Sequence, residues 1–135
     1  MSILLTTTAM LSQMNTALAD SQAVVFVGNN WDGTVNVFNS QNYSKVGVIN
    51  VVPDKQARMK EILLNPIKLV AFQAVRNLIG EGHDQLVDDM YSSNDGKLLI
   101  ASRPSFADVV AIDIATGKIV WRFVVDGYRS DHMAL

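Results

Sequence analysis

The chain has 135 residues, a formal net charge of −2 at pH 7, 49% hydrophobic and 18% charged residues, and no cysteine. Its length suits one ordinary domain, and its composition indicates a folded chain rather than a disordered one. The absence of cysteine excludes disulfides, thiolate metal sites and a cysteine nucleophile. The slightly acidic charge gives no general electrostatic reason for binding nucleic acid or an anionic membrane.

Residues 1–19 have the composition of a weak secretory signal. A moderately apolar stretch ends in Ala17-Leu18-Ala19, and the two alanines match the small residues that precede a cleavage site. No Lys or Arg precedes the stretch, so the signal is either weak or lacks its start, and a loose N-terminal helix is the alternative. The stretch is too short and too polar to span a bilayer. We therefore expect a periplasmic or secreted protein with no membrane span.

Three strands are predicted next along the chain. Segments 24–27, 34–38 and 45–52 are rich in β-branched and aromatic residues, and turn-forming residues at 29–33 separate the first two. This pattern predicts three short antiparallel strands joined by turns.

Helical spacing replaces the strand pattern over residues 53–82. Asn65 and Pro66 interrupt it, and Pro66 suits the first turn of a second helix, which Gly80 and Gly82 end. The pattern predicts a two-helix insertion. The packed apolar face is assigned to Met59, Ile62 and Leu63 in the first helix and to Ile67, Val70, Ala74 and Leu78 in the second, widened by Phe72, Val75 and Ile79.

Four further strands are predicted from residue 85 onward. The segments LVDDMYSS, KLLIAS, DVVAIDI and KIVWRFVV alternate with the turn-rich segments NDG, RPSFA and ATG. Four short strands at even spacing predict an antiparallel meander, which is typical of a propeller blade with a period of about 40–45 residues. The tripeptide DHM at 131–133 repeats DDM at 88–90 after one such period, so we interpret it as the first strand of another blade.

Two motifs in this region resemble the YVTN-repeat, YncE-like β-propeller family of the WD40-like, quinoprotein amine dehydrogenase-like superfamily. SNDGK at 93–97 resembles that family's S-P-D-G-K turn, with Asn94 where Pro is commonest. AIDIATGK at 111–118 resembles its I-D-x-[AT]-T-G-K segment. The match over residues 23–52 is looser, and the N-terminus and the insertion lie outside it. The motifs are specific for a fold superfamily and not for a function.

The resemblance implies a mainly β fold, a partial β-propeller over residues 20–135. It would contain one four-stranded antiparallel blade, one partial three-stranded blade and the start of another, with the helical insertion at 53–82. A closed ring needs about four blades or more, so we expect the chain to be the N-terminal piece of a longer protein. Open blade edges would permit self-association. The insertion would cover a face or edge of the ring, or form a lid or partner surface at the channel mouth.

The resemblance also implies candidate ligand-binding residues. In propellers the first strand of each blade lines the central channel, and the positions that occupy or flank it here are Asp88, Asp89, Asp131 and His132, with Arg103 in the loop after the second strand. Carboxylates beside an imidazole can hold a hard metal or a polar ligand, or perform general acid–base chemistry. The simpler interpretation is that they are solvated or hydrogen-bonded to strand ends. We assign no catalytic residue, metal or cofactor.

Structural roles are predicted for other residues of the second unit. Asp113 is expected to accept hydrogen bonds from turn N–H groups. Gly96 and Gly117 are expected in tight turns, because glycine tolerates a positive φ. Trp121 is expected to pack between blades, with stacking on a base or a sugar as the alternative.

Three functions are compatible with these patterns. The first is a non-enzymatic exported β-propeller that binds an unknown ligand or protein partner through its channel face. The second is a quinoprotein- or lactonase-like enzyme with its site in the channel, at Asp89 and His132. The third is single-stranded DNA binding, as in some YncE-like proteins, which the net charge and the lack of a basic, aromatic stripe disfavour. The sequence contains no H-E-x-x-H, G-x-S-x-G, P-loop or dinucleotide motif, so we prefer the non-enzymatic function.

Overall fold

The computed structural model describes residues 23–134, so the predicted signal at 1–19 lies outside the described residues. The strands are β1 (Val24–Asn29), β2 (Thr34–Asn39), β3 (Lys45–Asn50), β4 (Met90–Ser92), β5 (Leu98–Arg103), β6 (Asp108–Asp113) and β7 (Ile119–Val124). The helices are α1 (Lys55–Leu63) and α2 (Pro66–Ala74), and a π-helical turn over Val75–Ile79 continues α2. The predicted mainly β chain with two short helices is confirmed.

The strands form two antiparallel sheets, ordered β1-β2-β3 and β4-β5-β6-β7. The β1–β2 turn requires glycine, because the φ of Gly33 is +70° and an added Cβ would lie 2.5 Å from Cγ2 of Val52. At the β6–β7 turn, Oδ1 of Asp113 accepts hydrogen bonds from the backbone N of Thr116 at 2.7 Å and from its Oγ1 at 2.8 Å. The predicted turn role of Asp113 is therefore confirmed. The two sheets are compatible with partial propeller blades.

One hydrophobic core joins both sheets and the helices. Alternate residues of the inner strands point to it, as expected for strands with one buried face. Its buried members include Val35 and Val37 of β2, Ile49 of β3, Leu99 and Ala101 of β5, Val110 and Ile112 of β6, and Ile62 and Phe72 of the helices. Leu86 belongs to the same core, and its backbone N donates to Oδ1 of Asn30 at 2.9 Å. The segment that leads into β4 is therefore held against the first sheet.

The start of α2 follows the predicted chemistry. Oδ1 of Asn65 accepts hydrogen bonds from the backbone N of Ile67 at 3.0 Å and of Lys68 at 3.2 Å, and Pro66 occupies the first helical turn. Among the described residues, neither helix by itself has the length and apolar composition of a membrane-crossing segment. The two helices taken together have this length and composition, but the chain bends by 115° at the break between the helices.

The predicted packed faces of the helices are correct only in part. Ile62, Phe72 and Val75 are buried as predicted. The other predicted members that prove to be exposed are Leu63, Ile67, Val70, Leu78 and Ile79. The physical reason is that apolar residues occupy most sides of α2, so their spacing alone does not identify the side that meets the sheets. Phe72 and Val75 face the core, and the opposite side has no packing partner among the described residues.

The predicted strand at 131–133 is not formed. Residues 131–134 have no strand structure, and the segment is held by side chains instead of a backbone ladder. The hydroxyl of Tyr91 donates to the carbonyl of Met133 at 2.5 Å, and Oγ of Ser102 donates to the carbonyl of Asp131 at 2.9 Å. A strand requires a neighbouring strand to share its backbone hydrogen bonds, and no such strand faces this segment in the described part of the chain.

Candidate functional site

Two chain segments bring four predicted residues together, and we call Asp88, Asp89, Asp131 and His132 the acidic–histidine cluster. The backbone N of Asp88 donates to the carbonyl of Ser102, and the N of Ser102 donates to the carbonyl of Asp89, both at 3.0 Å. These bonds continue the β4–β5 pairing and fix the two aspartates just before β4. The second segment is attached to the first because the backbone N of Met133 donates to Oδ2 of Asp89 at 2.7 Å.

The side chains of the cluster are close together and open to solvent. One oxygen or nitrogen atom from each of Asp88, Asp131 and His132 lies within 4.8 Å of the others. Nδ1 of His132 is 3.5 Å from Oδ2 of Asp89, and the His132 side chain is 82% exposed. A ligand therefore has access to the exposed His132 imidazole and to the partly exposed carboxylates beside it.

Like charges are crowded in the cluster. Burial, together with the neighbouring Asp131 and Asp89 carboxylates, raises the pKa of Asp88, and His132 opposes this shift. Arg129 pairs with Asp131 at 2.9 Å. Three carboxylates thus share one guanidinium and one imidazole, so a further positive charge among them would relieve the repulsion.

The spacing of the ligand atoms suits one small cation. Oxygen ligands lie about 2.3–2.6 Å from Ca²⁺, and about 2.8 Å separates a charged nitrogen from a carboxylate oxygen. Two ligand atoms on opposite sides of either cation are therefore about 4.6–5.6 Å apart. The separations in the cluster, within 4.8 Å, allow its atoms to contact one shared cation after small side-chain rotations.

Arg103 has a structural role instead. The predicted loop position is corrected: Arg103 is the last residue of β5, and its side chain is fully buried. Nε and Nη2 donate to the two carboxylate oxygens of Asp108 at 2.7 and 2.8 Å. Nη1 donates to Oδ1 of Asp54 at 2.5 Å and to the carbonyl of Val51 at 3.1 Å. Every guanidinium nitrogen has an acceptor in the core, so we leave Arg103 out of the proposed site.

The sequence patterns did not indicate the two serines that join the segments of the cluster. Ser102 and Ser130 are both buried, their Oγ atoms are 3.1 Å apart, and Oγ of Ser130 donates to the carbonyl of Asp108 at 3.0 Å. The one available signal was a small polar residue at the end of the apolar segment LLIAS. That signal is weak, because serine is common where a strand ends.

The histidine and aspartate that precede the cluster along the chain have other partners. The ring of His83 stacks on Trp31, with ring centroids 3.8 Å apart and an angle of 13° between the planes. Asp84 pairs with Arg76 at 3.5 Å. These side chains therefore connect the end of the helical segment to its surroundings and are not members of the cluster.

No protein-family model matches the chain, and no curated protein sequence matches it. The resemblance to the YVTN-repeat family therefore stays a prediction that depends on the motifs at 93–97 and 111–118. The geometry of the acidic–histidine cluster is the feature that bears on function.

Proposed function

We propose that this chain is part of an exported, non-enzymatic β-propeller protein that binds a positively charged ligand at the acidic–histidine cluster. The observation that carries the proposal is the convergence of Asp88, Asp89, Asp131 and His132 from two distant segments onto one exposed spot. Folding places like charges together there at a cost, and a cation from outside the chain would offset that cost. The ligand chemistry is a divalent metal ion or a cationic nitrogen group, which the same carboxylates can bind.

Isothermal titration of the full chain at pH 7 with Mn²⁺ and, separately, with arginine methyl ester tests this proposal. We expect at least one probe to bind saturably, and Asp88→Asn with Asp131→Asn to weaken that binding at least tenfold. Asp126→Asn is the matched control, because it removes an exposed aspartate that lies outside the cluster. His132→Gln separates the two ligand classes, since an imidazole can coordinate a metal but contributes little to binding a guanidinium.

Two outcomes would contradict the proposal. One is that neither probe binds saturably at concentrations up to about 1 mM, the range in which weak carboxylate sites bind Ca²⁺. The other is an equal loss of binding in the cluster variant and in Asp126→Asn.

We also propose that the chain self-associates through open strand edges. β7 is an edge strand in the described part of the chain, and its side chains Trp121 and Phe123 are exposed on one face of the sheet. Unpaired edges with exposed apolar residues favour pairing with another chain.

A further inference from the structure

The bend between α1 and α2 exposes large apolar side chains. Leu63, Leu64 and Ile67 are 62%, 75% and 63% exposed, and we call them the helix-bend patch. Single exposed apolar residues are ordinary on folded proteins, but three large ones within five positions of one bend are a local concentration of apolar surface that favours a partner. Asn65 caps the helix between them, so the bend is a defined structure and not a frayed end.

Lysines flank the helix-bend patch. Lys60 precedes it and Lys68 follows it; both are exposed, and neither forms a salt bridge within residues 23–134. Glu61, the acidic residue of α1, is already paired with Arg58 at 2.5 Å and with Arg122 at 3.4 Å. The chain as a whole is slightly acidic, at −2, so the positive charge beside the patch is a local feature that the net charge conceals.

The helices are individually too short to cross a membrane, so the orientation open to them is along its surface. α1 has 9 residues, which at about 1.5 Å each is about 14 Å and far less than the about 30 Å of the hydrocarbon core. A short helical bend with exposed apolar side chains and lysines nearby in the chain can lie in the plane of the interface. The long lysine side chains then reach the headgroups while the apolar side chains enter the acyl boundary.

We propose that the helix-bend patch docks on an anionic lipid surface, with its three apolar side chains inserted and Lys60 and Lys68 contacting the negatively charged headgroups. The lysines favour an anionic membrane as the partner of the patch, because an anionic bilayer supplies apolar depth and negative charge together at one surface. This inference is independent of the acidic–histidine cluster. Each inserted apolar side chain contributes about tenfold to partitioning, and each lysine about fivefold on an anionic surface.

Vesicle co-sedimentation of the full chain tests the proposal. The vesicles are equal parts of phosphatidylcholine and phosphatidylglycerol, with pure phosphatidylcholine as the uncharged comparison. We expect binding to the anionic vesicles that falls at least tenfold in Leu63→Ser with Leu64→Ser and also at least tenfold in Lys60→Gln with Lys68→Gln. Val46→Ser with Val48→Ser is the matched control, because these exposed β3 valines lie outside the patch, and its binding should stay within twofold of the wild type.

Circular dichroism should show that each variant is folded, because the substituted side chains are exposed. The proposal is overturned if the wild type does not bind the anionic vesicles, if it binds uncharged vesicles equally well, or if the control loses as much binding as the leucine variant. A wild-type dimer that Leu63→Ser with Leu64→Ser converts to monomer, without a change in vesicle binding, would assign the patch to a protein contact and also overturn it.

Discussion

At the scale of single residues, Arg103 connects the helical segment to the four-stranded sheet. Its buried guanidinium lies between Asp108 of β6 and Asp54, which directly precedes α1. Arg122 of β7 also pairs with Asp108. Burial alone would lower the pKa of Arg103, but the hydrogen bonds that it donates to Asp108 and Asp54, together with the negative charges of these two carboxylates, raise that pKa. The buried charge is therefore retained because its partners surround it.

Replacing Arg103 should strongly destabilise the fold. Arg103→Ala leaves Asp108 buried with one fewer partner, and we expect the free energy of unfolding to fall by about 3–5 kcal/mol. Urea denaturation measures this. Arg129→Ala, which removes an arginine of a partly exposed pair, should cost less than about 1 kcal/mol. Equal losses in the two variants would show that the buried network does not support the fold.

Asp54 gives this network a pH dependence. Burial would raise the pKa of Asp54, but the hydrogen bond and charge of Arg103, a backbone hydrogen bond and the charge of Arg58 together outweigh burial, so the pKa in the folded state lies below the ordinary value of 3.8. A carboxyl whose pKa is lowered by folding stabilises the protein above pH 3.8, and this stabilisation is lost as the pH falls through the folded-state pKa. Asp54→Asn should therefore lower the free energy of unfolding at pH 7 by about 1 kcal/mol.

Urea denaturation of the wild type and Asp54→Asn across this pH range provides the measurement. The difference between the two proteins should shrink as the pH falls below 3.8. A difference that stays constant or grows in acid would contradict the assigned role of Asp54.

At the scale of elements, the side of α2 that packs determines its contribution to stability. Phe72 is 3% exposed, so Phe72→Ala should cost about 3–5 kcal/mol of unfolding free energy. Ile67 is an exposed residue of the same helix, and Ile67→Ala should change that free energy by less than about 0.5 kcal/mol. Thermal or urea unfolding distinguishes them, and a larger loss for Ile67→Ala would reverse the assignment of the packed side.

Turns and helix starts could be predicted from the sequence because their chemistry is local. Asp113 accepts a hydrogen bond from a backbone N–H three residues away, and Gly117 has the positive φ that the turn requires. Asn65 caps the helix that begins beside it. The packed side of α2 could not be predicted, because a helix that is apolar on most sides packs where its neighbours permit. That information lies in the rest of the fold.

The candidate site was predictable in part. The repeated tripeptides at 88–90 and 131–133 directed attention to Asp88, Asp89, Asp131 and His132, and these side chains are close together, although the predicted strand at 131–133 is not formed. The burial of Arg103 was not predictable from its position near a turn, because Asp54 and Asp108 contact it from separate elements. The partners of Arg103 are therefore determined by the rest of the fold and not by the residues next to it in the sequence.

At the scale of the whole molecule, positive and negative charge are separated between two surfaces. The acidic–histidine cluster lies where the segment before β4 meets residues 131–133, and Lys60 and Lys68 lie beside the helix-bend patch. A net charge of −2 therefore describes neither surface. Each surface should respond to its own class of ligand, and salt should weaken both interactions by screening.

The proposed self-association is also tested at the scale of the whole molecule. We expect the sedimentation coefficient of the chain to rise with concentration, and Trp121→Lys with Phe123→Lys on β7 to reduce that rise. Tyr43→Ser is the control, because Tyr43 is an exposed aromatic residue in a turn and not in a strand. A monomer at every concentration, or an equal effect of the control, would contradict association through the β7 edge.

Mapping where a cation binds tests most directly the central claim that the acidic–histidine cluster is a binding site. In the amide NMR spectrum of the full chain at pH 7, substoichiometric Mn²⁺ should broaden the signals of residues 88–90 and 131–133 first, or arginine methyl ester should shift those signals. Both effects should disappear in Asp88→Asn with Asp131→Asn and persist in Asp126→Asn. If neither probe perturbs these signals, or if the perturbation is centred elsewhere, the acidic–histidine cluster is not a binding site for cations.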